Sequence, residues 1–146
     1  MSTALRLRAE DSAGLEVLSA AMQDSVLTAG DLRYDSKARR FMALVNRFRW
    51  ESAKKRGPYE RIRAVLAVES VTEVKSTKFN RANDKAVASV LSLAFAPDAE
   101  PPGGKLSVVL AGGGEIRMNV ECLDALLLDM GAPWPTPLKP NHEDAR

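Results

Sequence analysis

The sequence predicts an α+β protein built on a mostly antiparallel β barrel or strongly bent sheet. About seven strands are expected, with a strand and a helix in front and a helix closing the C-terminal end. Three observations lead there. Apolar residues recur with a period of two through most of residues 26–118. The period lengthens to that of a helix near both ends. Short glycine, proline and polar clusters separate the alternating runs, and connections that short favour hairpins.

Leu5-Arg6-Leu7-Arg8 alternates apolar and basic side chains, as a strand with one buried face does. Asp11 or Ser12 can accept hydrogen bonds from the first free amides of a helix over 12–24, whose apolar positions are Leu15, Leu18 and Met22. Residues 26–34 form a strand with an irregularity at Gly30, and Asp35-Ser36-Lys37 turns the chain. In the long strand 40–50, Phe41, Ala43 and Val45 share one face, and Met42, Leu44, Phe48 and Trp50 the other. Residues 51–58 make the longest loop. Further strands are expected near 62–68, 71–79, 87–95 and 106–110, and 97–104 is a proline-rich loop that cannot continue a ladder. Gly112-Gly113-Gly114 suits a tight hairpin returning through 115–118. Asn119 then caps a final helix striped by Val120, Leu123, Leu126, Leu127 and Met130, which Gly131 and Pro133 end. The expected domain is 1–135, with 136–146 an extended or disordered tail.

Several chemistries are disfavoured at once. One cysteine, Cys122, leaves no intramolecular disulfide and no multi-cysteine zinc site, which fits a reducing compartment. The opening residues lack the apolar core of a secretory signal, and no apolar run reaches the length of a membrane span, so a cytoplasmic location is expected. The one histidine, His142, sits in the proline-rich tail, away from any rigid scaffold. The glycine triplet is followed by Glu115 and a strand, not by the Lys-Ser/Thr and helix of a phosphate loop. Cys122, Glu121 and Asp124 fit helix packing and solvation better than a reactive centre. No cofactor and no metal is expected.

The remaining signal is charge. Residues 33–85 hold 15 Lys/Arg against 6 Asp/Glu, whereas the rest of the chain holds 6 against 13. If the strands flanking the 51–58 loop pair, Arg47, Arg49, Arg61 and Arg63 contribute to a basic sheet face. Lys54, Lys55 and Arg56 extend it, and Trp50 lies beside it.

Gly112-Gly113-Gly114-Glu115-Ile116-Arg117, Val120-Glu121-Cys122-Leu123, Gly131-Ala132-Pro133-Trp134 and Asn46-Arg47-Phe48-Arg49-Trp50-Glu51 together resemble the alphaproteobacterial family known as domain of unknown function 2948. The resemblance runs from about Leu5 to Pro135. It implies a small cytoplasmic bacterial protein and supplies no catalytic residues. The element order, by itself, is that of a pleckstrin-homology-like barrel with an extra strand and helix in front; a two-layer sheet with both helices on one face is the alternative. Three functions stay open. The first is a non-enzymatic binding or adaptor module that holds a protein or anionic ligand on the basic face. The second is an RNA- or DNA-binding protein using the same arginines. The third, a small enzyme built on Glu121, Asp124 or Cys122, is the least favoured.

Overall fold

The computed structural model describes residues 4–53, 59–137 and 140. The chain runs β1 (Arg6–Ala9), α1 (Ser12–Met22), β2 (Val26–Asp35), β3 (Arg40–Phe48), a single 3-10 turn (Trp50–Ser52), β4 (Tyr59–Val68), β5 (Val71–Thr77), β6 (Val87–Pro97), β7 (Gly104–Leu110), β8 (Glu115–Val120) and β9 (Ala125–Thr136). All strand pairs are antiparallel, in one open sheet ordered β1-β9-β4-β3-β2-β6-β7-β8-β5. The expected α+β class and bent antiparallel sheet are present. A closed barrel is not.

The sheet bends at β6. Residues 87–89 of that strand pair with β2, and the rest pairs with β7. The bend brings the two halves around one core, in which Phe41, Val45 and Leu66 of one half meet Leu106, Ile116 and Met118 of the other. The Tyr34 hydroxyl donates to the Val71 carbonyl at 2.9 Å, and the Val71 amide donates to Arg39 O at 2.8 Å, tying the edge strand β5 to the β2–β3 hairpin. β5 follows β4 in the chain but pairs with β8.

The N-terminal helix forms as its sequence dictates. Asp11 accepts from the Gly14 amide at 2.7 Å, and Leu15, Leu18 and Met22 are buried in the core. The irregularity near Gly30 is a register shift between Leu27 and Leu32.

The expected C-terminal helix does not form, so the pleckstrin-homology-like order of seven strands and a closing helix does not hold. Asn119 lies in β8, and residues 121–124 form the connection to β9. β9 lies between β1 and β4, and both of its faces carry apolar side chains: Ala125 and Leu127 are buried, Leu126 and Leu128 half-buried. Four consecutive apolar residues erase the period of two and imitate a helical stripe. Sheet pairing outweighs the helix preference of leucine, a matter of tenths of a kcal/mol per residue. Gly131 and the prolines do not stop the strand, since a bulge opposite Arg61/Arg63 takes up extra residues, with Gly131 at φ +76°. Past Leu128 no β1 residue pairs with β9, so among the described residues Pro133 and Pro135 sit where one side of the strand has no partner to donate to.

Gly104 tests the close packing where β7 begins, at the far end of β6. A Cβ there would lie 2.5 Å from the Phe95 ring and 2.6 Å from the Ala96 backbone oxygen, so backbone as well as side chain must shift. Gly104→Ala is expected to cost about 1–3 kcal/mol, the usual range for overpacking, read as a lowered urea midpoint with an unchanged slope.

Candidate functional site: the outer face of β3, β4 and β9

The arginines singled out by the sequence divide between the two sides of one sheet. Arg47 follows Phe41, Ala43 and Val45 on the core side of β3 and is fully buried. It is held by charge-assisted bonds on every N–H. Nε donates to Asp129 Oδ1 at 3.0 Å and Nη2 to Asp129 Oδ2 at 2.9 Å. Nη1 and Nη2 donate to the Glu51 carboxylate at 2.9 and 2.6 Å, and Nη1 also to Phe48 O at 3.3 Å. That occupies the five donors of a guanidinium, the condition under which a buried charge is tolerated. Burial disfavours the Arg47 cation, but its bonds to Glu51 and Asp129 outweigh that and raise its pKa. Burial likewise disfavours the Glu51 carboxylate. The Arg47 bond, a backbone amide and the charges of Arg47 and Arg49 outweigh it and hold Glu51 below the usual carboxylate range.

Arg49 is also buried and ion-paired to Glu60. Arg61 is half-buried, with its guanidinium 5.7 Å from the centre of the Phe48 ring; burial lowers its pKa. It donates to the carbonyls of Asp24 and Asn46. Trp50 stacks edge-on against Phe48 at 4.6 Å and donates from its indole to Gln23 O at 2.9 Å. Lys54, Lys55 and Arg56 lie outside the described residues. Strands β3 and β4 do pair, as the basic-face reading requires, yet Arg47 and Arg49 are turned inward and neutralised. Of these four arginines, Arg63 alone stands within an open apolar face.

That face follows from the cross-strand register. Residues directly opposite one another share a face. One row reads Arg33, Met42, Ala67, Leu126, Arg8 across β2, β3, β4, β9 and β1. The next reads Leu44, Val65, Leu128, Arg6, and a third Asn46, Arg63, Met130. Met42 is 40% exposed, Met130 45% and Trp134 38%, and the aliphatic residues between them are half-buried. An apolar stripe three strands wide therefore runs between arginines on the strands to either side. Arg8 pairs with Asp124 at 3.2 Å and Arg63 with Asp31 at 3.3 Å. Arg33 donates only to the carbonyls of Gly30 and Leu32 among the described residues. Helix α1 packs on the opposite, core side of this sheet; on the outer side Trp50 of the 3-10 turn covers Phe48, while Met42 and Met130 stay exposed. The sequence shows Met42 and Leu44 on that side of β3, but the helical spacing of the partner leucines hides their place in a strand.

Other candidate groups are dispersed. Cys122 is half-buried in the β8–β9 connection, while Glu121 and Asp124 pair with Arg39 and Arg8. His142 lies outside the described residues. Among the described residues no three His, Cys, Asp or Glu side chains converge as metal ligands, and no helix is long and apolar enough to cross a membrane.

The molecule is thus an antiparallel sheet protein with an ionic lock inside and an arginine-flanked apolar face outside. The chain belongs to the family of unknown function DUF2948, whose members it matches over residues 5–142. No curated protein and no solved structure matches it.

Two outcomes test the lock. Asp129→Ala should destabilise the chain by about 3–5 kcal/mol by stranding Arg47, while Arg47→Met with Asp129→Leu should recover most of that loss in urea unfolding. The Glu51 carboxyl has a lower pKa folded than unfolded. Its stabilisation is therefore complete above the ordinary value of 4.5 and is lost as pH falls through the folded value. The stability advantage of wild type over Glu51→Gln should shrink on acidification from pH 6 to pH 3, as followed by thermal melts.

Proposed function

We propose that the chain is a protein-binding module that receives an amphipathic helix of a partner on the outer face of β3, β4 and β9. The supporting observation is the arginine–apolar–arginine order across five strands. Contiguous exposed apolar surface favours association, and methionines at its margins adapt to varied side chains. Strands lie about 4.8 Å apart, so three span roughly 10 Å, the diameter of one helix. A helix laid there brings its flanks to Arg33 on one side and Arg6 and Arg8 on the other. Acidic residues along those flanks would meet them, which gives the partner its charge as well as its shape. A second copy would instead set arginine against arginine.

The arginines also favour phosphate, and the nucleic-acid reading rests on them. An apolar centre with no aromatic stack among Met42, Leu44, Val65 and Leu128 serves a helix better than bases. Titration of the isotope-labelled chain separates these readings. A designed leucine-striped helix with glutamate flanks should shift the amides of β3, β4 and β9, and Arg6→Glu with Arg33→Glu should weaken it at least tenfold. The same helix with lysine flanks should bind more weakly. Tighter, salt-sensitive binding of a mixed oligonucleotide on this face would replace the proposal with the nucleic-acid reading.

A further inference from the structure

A second surface carries the opposite charge. A groove of about 730 Å³ lies between α1 and the outer half of β6, lined also by the 97–103 loop and the β8–β9 connection. Its floor is apolar, from Leu15, Phe95 and Leu123, and three carboxylates line it, from Glu10, Asp11 and Glu16; among the described residues no Lys or Arg does. Asp11 is engaged as the cap of α1, and Glu10 lies 3.7 Å from Arg8. Glu16 is exposed at the rim.

The groove also contains a strand edge. β2 pairs with β6 over 87–89, and Val90 is bonded through its amide to Ser25 O and through its carbonyl to the Asp24 amide, so past Val90 the side of β6 away from β7 has no strand neighbour among the described residues. The Leu93 amide on that side donates to the Ser19 hydroxyl oxygen of α1 at 2.9 Å. On the other side, the Asp98 amide donates across to Gly103 O at 2.8 Å. Backbone groups alternate along a strand, so the Leu93 carbonyl and the Phe95 amide and carbonyl face the groove. Strand pairing would therefore be available at the floor of an acidic apolar cleft.

We infer that this groove binds a short extended peptide with alternating basic and apolar residues, which adds as a strand beside Leu93–Pro97. Main-chain bonds to Phe95 supply affinity, alternate apolar side chains meet the floor, and the basic ones meet Glu10 and Glu16. Pro97 has no amide to offer and ends the pairing, which keeps the added strand short. This site is separate from the outer face and stands or falls independently of it.

The test uses the full chain and a capped heptapeptide, Lys-Val-Lys-Val-Lys-Val-Lys. Cys122 lines the groove and is the only cysteine, so its alkylation by a maleimide reports occupancy without mutation. The peptide should slow that alkylation and shift the Leu93 and Phe95 amides, saturating below millimolar concentration. N-methylation of its three central amides, or Glu10→Gln with Glu16→Gln in the protein, should weaken it at least tenfold. Both glutamates are exposed, so the variant is expected to fold. No saturation, equal binding by the glutamate-valine counterpart, full binding after N-methylation, or shifts confined to β3, β4 and β9 would each overturn the inference.

Discussion

The carboxylate of Asp129 is the point on which the sheet is assembled. It accepts two bonds from Arg47 on β3 and a third from the Leu5 amide at 2.9 Å, while its own amide donates to Leu5 O at 3.0 Å. One side chain thereby fixes β9 relative to β3, with β4 between them, and sets β1 on the other side. A one-residue slip of β9 would turn Asp129 outward and leave Arg47 buried without one of its two counterions, so register is defended electrostatically as well as by packing. The Arg47–Glu51 pair extends the same network into the 3-10 turn after β3.

This lock explains why the two faces of one sheet differ so much. Inside, Phe41, Ala43 and Val45 lead to an arginine that is buried only because acids on two other segments neutralise it. Outside, Met42 and Leu44 begin rows that continue through β4 and β9 to end at arginines facing solvent. The charge asymmetry of residues 33–85 therefore does not become a single basic surface. Part is consumed as internal structure, and part borders an apolar face.

Much of this was legible in the amino acids. Period-two alternation located the seven strands from β2 to β8, Asp11 marked the start of α1, and the glycine triplet marked the β7–β8 hairpin. Residues 119–136 were not legible, because a strand flanked on both sides and apolar on both faces loses its alternation; leucines at 126, 127 and 128 then satisfy a helical stripe equally well. The fate of Arg47 did carry a signal. It shares its strand face with Phe41, Ala43 and Val45, so its neighbours pointed inward, and an inward arginine requires a buried acid. Asp129, set within an apolar run, is the residue that meets that need. The outer face depends on which β9 leucine lies opposite which β4 residue, information that exists only once β9 is a strand.

The prolines of β9 have a bearing on how the molecule behaves when crowded. An open sheet offers the hydrogen-bonding groups of its margins to any neighbouring chain, and fibril growth starts at such margins. The outer part of β9 has lost β1 as a neighbour by Met130, and there the sequence places Pro133 and Pro135, with Gly131 in a left-handed conformation. Two missing donors and a kinked backbone make this margin a poor template. The residues that seemed to end a helix serve instead to keep a strand from recruiting another molecule.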